Sequence, residues 1–149
     1  MFKIKYFGQT HDYDHKVKLL DLIPEDSKKI FLCAKVNNRL RELTYDVHYD
    51  AEVEFLDILD EEAMHIYENS LRYIIAMALY EIDSSLQLKF SYYESRSIYG
   101  LILNKDFVWS QEKLDKLKNK IDEIIKADYP FIRKIVSNEE ADDIYRLFN

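Results

Sequence analysis

The hydrophobic pattern first turns helical along this chain at Asp60-Glu61-Glu62, and that change limits the possible folds more than any other feature. Before it, apolar residues recur at short, strand-like intervals. Phe2, Ile4 and Tyr6 alternate with Lys3, Lys5 and Phe7, and Gly8-Gln9 ends the run. A second strand reads from His11 to Lys16. Val17 to Ile23 reads as one or two helical turns stopped by Pro24. Ile30 to Val36 is β-rich, and Asn37-Asn38 signals a turn because Asn tolerates left-handed backbone. Leu40, Leu43 and Tyr45 continue beyond it, and Val53, Phe55 and Ile58 mark a further strand.

After the change helical stretches enter, with strands between them. Asp60 caps, and Glu61 and Glu62 suit the positive end of a helix that runs through Ile66, Ile74, Ile75 and Leu79. Its later part, IIAMALY, is apolar all round and predicts burial. Leu86 to Tyr93 and Ile98 to Leu103 read as a strand pair around Ser95-Arg96-Ser97. A second helix opens at Ser110, with Leu114, Leu117, Ile121, Ile124 and Ile125 on one face. Phe131 to Val136 reads as a strand, and Ser137-Asn138-Glu139-Glu140 as a capping box for a last helix to Phe148.

These elements predict an α+β fold: a β-grasp module over residues 1–59 packed directly against a second α+β module over residues 60–149. The length of 149 residues suits two small domains, and no flexible linker separates them. Gly8 and Gly100 are the only glycines, too few for a phosphate-cradling loop of the Walker or dinucleotide type. The net charge of -7 argues against general nucleic-acid binding, which needs clustered cations. Cys33 stands alone, so no internal disulfide forms. No signal peptide or membrane-length apolar run is visible. A cytoplasmic protein without membrane contact is the expectation.

Two stretches carry a family resemblance. CAKVNNRLRELTYDVHYDAEVEFLDILDEEAMHIYENS resembles the end of a TGS domain running into the second domain of threonyl-tRNA synthetases, through Ala34, Val36, Asn37, Leu40, Val53, Phe55, Glu61 and Glu62. Asn38 stands where the family has a turn glycine. SIYGLILNKDFVWSQEKLDKLKNKIDEIIKADYPFIRKIVSNEEADDIY is similar to the strand–helix–strand–helix part of that second domain. There Ala127-Asp128-Tyr129, Arg133-Lys134 and Ser137 to Ala141 match. In the family's editing domain the helix after the TGS module carries histidine ligands for zinc. Asn69 and Tyr73 occupy the matching positions and cannot hold zinc, so the resemblance here implies no metal. Histidine loss, Ile66-Tyr67, Ser70-Leu71 and Ser97-Ile98-Tyr99 resemble bacterial uridine-kinase-family proteins. That resemblance implies a non-catalytic accessory region. A downstream P-loop kinase domain would be its partner, using ATP and Mg for uridine phosphorylation. Other readings are an RNA-associated or ligand-sensing TGS module, or a metal-free deacylase. A homodimer is also compatible.

The candidate ligand-binding residues are Asn69, Tyr73, Tyr92, Arg96 and Tyr99. They stand where the synthetases have the editing cleft, and would stack a nucleoside or nucleotide and hold its anion through Arg96. The plainer account is that the tyrosines pack on helices and Arg96 caps a turn. No catalytic residue is expected. His11 and His15 flank Asp12 and Asp14, but four-residue spacing aligns ligands only on a helix, so a polar turn edge is the simpler account. Cys33 in FLCAKV reads as a buried thiol. Lys113, Lys116, Lys118, Lys120 and Lys126 alternate with Glu112, Asp115, Asp122 and Glu123, as on a solvated helix face.

Overall fold

The computed structural model describes residues 1–94, 97–132 and 134–146. The chain is α+β, as its two periodicities require. β1 (Phe2–Tyr6) and β2 (Gln9–Tyr13) form a hairpin with Phe7 and Gly8 between them. Both turn residues have positive φ, 45° and 75°, the requirement of a tight turn that follows the strands' twist. Phe7 is bulky for that backbone. Its ring is held by stacking on Phe55 at 5.2 Å and by Phe31 at 5.8 Å.

β3 (Val17–Lys18) pairs with β6 (Asp46–Val47) in a small ladder, and a 3-10 turn over Leu19–Leu22 follows β3. The helical turns expected over Val17 to Ile23 are thus half strand and half 3-10 turn. Backbone N–H groups of Leu19 and Leu20 donate to the carbonyls of Tyr45 and Leu43, which pins the segment to a neighbour in place of helical bonding. β4 (Phe31–Val36) turns through Asn37 and Asn38, at φ 48° and 62°, into β5 (Arg39–Arg41). β7 (Ala51–Asp57) lies between β1 and β4.

The main sheet has the order β2-β1-β7-β4-β5, with β1 and β7 parallel and the other pairs antiparallel. This is the β-grasp arrangement. One face buries Ile4, Ala34, Val36, Ala51 and Val53 against Leu19, Leu22 and Val47. Alternation sends Cys33 and Leu56, which are cross-strand partners, to the other face. There they meet Ala63 and Ile66 of α1 (Glu61–Ile82), and Lys35 of β4 is 2.5 Å from the Glu62 carboxylate. The sheet and the start of α1 therefore pack directly, without a spacer.

α1 also packs along α2 (Gln111–Ala127), and Lys120 of α2 reaches Glu81 of α1 at 3.5 Å. β8 (Leu88–Glu94) and β9 (Ser97–Ile102) form a separate hairpin between the helices. Gly100 sits opposite Phe90, whose ring would lie 3.5 Å from a Cβ added there. α3 (Asn138–Arg146) starts where the capping box predicts it, with Glu140 N–H donating to Ser137 Oγ at 3.2 Å. Phe148 lies outside the described residues.

Two expectations change. The run IIAMALY buries only Ala78 and Leu79, while Tyr80 is exposed. α1 has the sheet at its start, α2 along one side and a slight contact with β8, and among the described residues these elements leave part of the run uncovered. The described residues between 131 and 136 form no strand. The hairpin sheet has two strands, β8 and β9, and neither pairs with this segment. Phe131, Ile132 and Ile135 stay exposed.

Candidate functional site

The candidate residues come from two elements. α1 supplies Asn69 and Tyr73, one turn apart and so on one side of the helix. Asn69 Oδ1 accepts a hydrogen bond from Arg72 Nη1 at 3.2 Å. Tyr73 is 63% exposed, and its ring meets that of Phe131 at 5.7 Å. The hairpin supplies Tyr92 and Tyr99. Their rings stack across the two strands at 5.2 Å with an interplanar angle of 19°. Both are open to solvent, 60% and 38% exposed. A register shift between Phe90 and Tyr93 marks an irregularity in the pairing beside Tyr92. Arg96 lies outside the described residues.

The structure thus gives the predicted set two aromatic centres. Tyr92 and Tyr99 form a flat pair whose outer surface is accessible, which suits stacking on a planar ring. Tyr73 instead borders an apolar cavity of about 360 Å³, together with Ile74, Met77, Ile124, Tyr129 and Phe131. Asp128 is the one carboxylate on its wall. Phe131 and Tyr129 were not among the predicted site residues. Their only sequence signal is an aromatic cluster around Pro130, which reads equally well as a helix stop.

The remaining titratable candidates take structural surroundings. Cys33 is buried, and burial together with the charges of Glu62 and Asp60 pushes its thiol pKa up, away from nucleophilic use. His11 stacks on Tyr6 at 4.7 Å, His15 contacts Asp14 at 2.5 Å, and His65 lies 3.8 Å from both Glu61 and Glu68. Among the described residues no three His, Cys, Asp or Glu side chains gather as a metal cluster. None of the described helices is long and apolar enough to cross a membrane. Lys113 leaves the solvated face of α2: its Nζ donates to the Val108 carbonyl at 2.7 Å and lies 4.4 Å from the Phe107 ring centre.

No protein-family model matches the chain. Its curated relatives include a protein from Wolbachia sp. subsp. Drosophila simulans (strain wRi), 25% identical over 148 residues, which pairs 97% of this chain with 23% of the relative. One from Syntrophomonas wolfei is 28% identical, pairing 90% with 21%. Another, from Desulforamulus reducens, is 29% identical, pairing 94% with 24%. Each is a threonine--tRNA ligase, and the chain spans less than a quarter of their length. This overturns the expectation of a uridine-kinase accessory region and the kinase and transferase roles attached to it. The residues that suggested it serve the helix itself: Ile66 packs on Cys33, Leu56 and Ala63, and Ser70 Oγ donates to the Ile66 carbonyl at 2.9 Å. Over nearly its whole length, both the sheet and the helical part, this chain is similar to a segment of threonine--tRNA ligases.

Proposed function

We propose that this chain is a threonyl-tRNA-synthetase-related region that binds tRNA and carries no chemistry of its own. Its contact is the unpaired end of the molecule. The observation that carries this reading is the Tyr92–Tyr99 pair, stacked on each other and exposed on the β8–β9 hairpin. Bases inside a duplex are already stacked and cannot use such a surface, whereas single-stranded bases can. The resemblance puts the synthetase editing cleft in this neighbourhood, and the relatives are named threonine--tRNA ligases. At the positions of the family's zinc-binding histidines, Asn69 binds Arg72 and Tyr73 faces Phe131, so these side chains support packing and recognition. The acidic balance of -7 keeps the interaction local.

Fluorescence anisotropy with threonine tRNA tests this. Annealing a complementary oligonucleotide over the 3′ end should weaken binding. Replacing both tyrosines, Tyr92→Ala with Tyr99→Ala, should weaken it about tenfold or more, since a stacked base contributes roughly 1–3 kcal/mol. Equal affinity of parent and double variant for the open tRNA would sink the reading.

A further inference from the structure

β5 is the outermost strand of the main sheet. Arg39 and Arg41 are two residues apart on it and so share a face. Their cross-strand partners are Val36 and Ala34, both core residues, so this is the face that covers the core. At the edge the core ends, and the arginine stems lie along its rim beside Tyr45 and Tyr49, which pack against it. The Arg41 guanidinium lies 4.9 Å from the centre of the Tyr45 ring, and its Nη1 donates to the Leu40 carbonyl at 3.2 Å. Its Nε is buried and has no hydrogen-bond partner. The Tyr45 and Tyr49 hydroxyls are 3.1 Å apart. One donates to the other, so the acceptor's own proton remains available for an outside group.

The cations at this rim are not neutralised by neighbouring carboxylates among the described residues. Lys5, Lys16, Lys28, Lys35, Lys120 and Lys134 each meet a carboxylate. Arg39 and Arg41 meet none among the described residues, in a protein with seven excess negative charges. Both lie close enough to Tyr49 for their charges to favour its ionised form, although the hydrogen bond with Tyr45 and burial outweigh them and raise its pKa. Two guanidinium forks, one of them over a ring, and a phenol proton form a donor set.

The geometry points to a phosphate-binding site on the open edge of the sheet, formed by Arg39, Arg41, Tyr45 and Tyr49. A guanidinium fork matches two phosphate oxygens, and the Tyr45 ring beside Arg41 limits where its guanidinium lies before the ligand arrives. Residues two apart on a strand are roughly 7 Å apart, so the forks can converge on one phosphate or take successive phosphates of a strand. This site uses a different element from the tyrosine pair of the hairpin and stands independently of it.

Titration calorimetry with inorganic phosphate, a nucleoside monophosphate and a short single-stranded RNA tests the site. Binding of all three identifies a free phosphate group as sufficient. Binding of the RNA alone, lost in the variant, identifies the nucleic-acid backbone as the source. In both cases Arg39→Gln with Arg41→Gln should weaken binding at least tenfold, and Arg41→Lys should weaken it less. Inorganic phosphate carries no ring for the hairpin tyrosines to stack on, so loss of its binding in the arginine variant belongs to the sheet edge. If Arg41→Gln loosens the rim, the parent chain still decides: the Arg41 Nε–H resonance should shift as the probe that binds is added. No binding of any probe, equal binding by the double variant, or a stationary Nε–H signal at saturation overturns the proposal.

Discussion

Tyr13 is half-buried at the end of β2, with its hydroxyl 2.9 Å from that of Tyr6. Burial first, and the Tyr6 hydrogen bond second, push its pKa from 10.0 to about 12. The sign follows from linkage. Below pH 10 the proton is present in folded and unfolded chains alike, and the stabilisation is complete. Between about pH 10 and 12 the unfolded chain ionises first, so stability falls as the pH rises through that window. Tyr49, raised by its bond with Tyr45, acts in the same direction. Urea midpoints measured from pH 9 to 12 should therefore decline, and Tyr13→Phe should make the decline shallower. A second residue tests the contact between sheet and helix. Leu56 is buried with Cys33 and Ala63, and Leu56→Ala should cost about 2–5 kcal/mol through lost burial and a cavity. At this scale the asparagine turn was legible, because Asn37 and Asn38 advertise left-handed backbone and adopt it. Phe7 was not legible: what holds it at φ 45° is the rings of Phe55 and Phe31, which the fold brings in from far along the chain.

α2 shows how much an element's own sequence can specify. Its apolar stripe and its start at Ser110 were readable, and Ser110 Oγ accepts the Lys113 N–H at 3.2 Å. Asp128 closes the helix in the left-handed region at φ 50°. Ser110→Ala should lower stability by about 1 kcal/mol, seen as a shifted urea midpoint with an unchanged slope. A changed slope would mean that the cap controls more than one helix end. Elements whose identity depends on neighbours were less legible. An apolar run such as IIAMALY states that burial would be favourable, but the number of layers around α1 decides whether it occurs. Phe131 to Val136 has strand composition and no strand beside it, so its apolar residues remain on the surface. Tyr92 and Tyr99 were singled out through the family resemblance, whereas the stack between them depends on a hairpin register that the local pattern does not state. The Tyr73–Phe131 contact joins α1 to a segment nearly sixty residues later, and no local pattern encodes it.

Across the whole molecule, charge decides what kind of RNA contact is feasible. With 21 basic and 28 acidic side chains, the long-range field repels a polyanion, and most lysines with a described contact are already committed to carboxylates. Binding then has to come from short-range stacking at Tyr92 and Tyr99 and from cations without acidic partners, of which Arg39 and Arg41 sit together on one edge. Counterion release gives this a measurable form. Each phosphate neutralised on a single strand contributes a slope of about −0.7 in log affinity against log salt, so two or three such contacts should give a slope between about −1.4 and −2.1. Affinity for a short single-stranded RNA, measured from 50 to 300 mM salt, should follow that shallow line. Arg39→Gln with Arg41→Gln should flatten it towards zero while the stacking contribution persists. Tyr92→Ala with Tyr99→Ala should lower the affinity at every salt concentration and leave the slope unchanged. A slope of about −5 or steeper would require a broad basic surface, and both the hairpin and the sheet edge would then be the wrong places to look for the RNA.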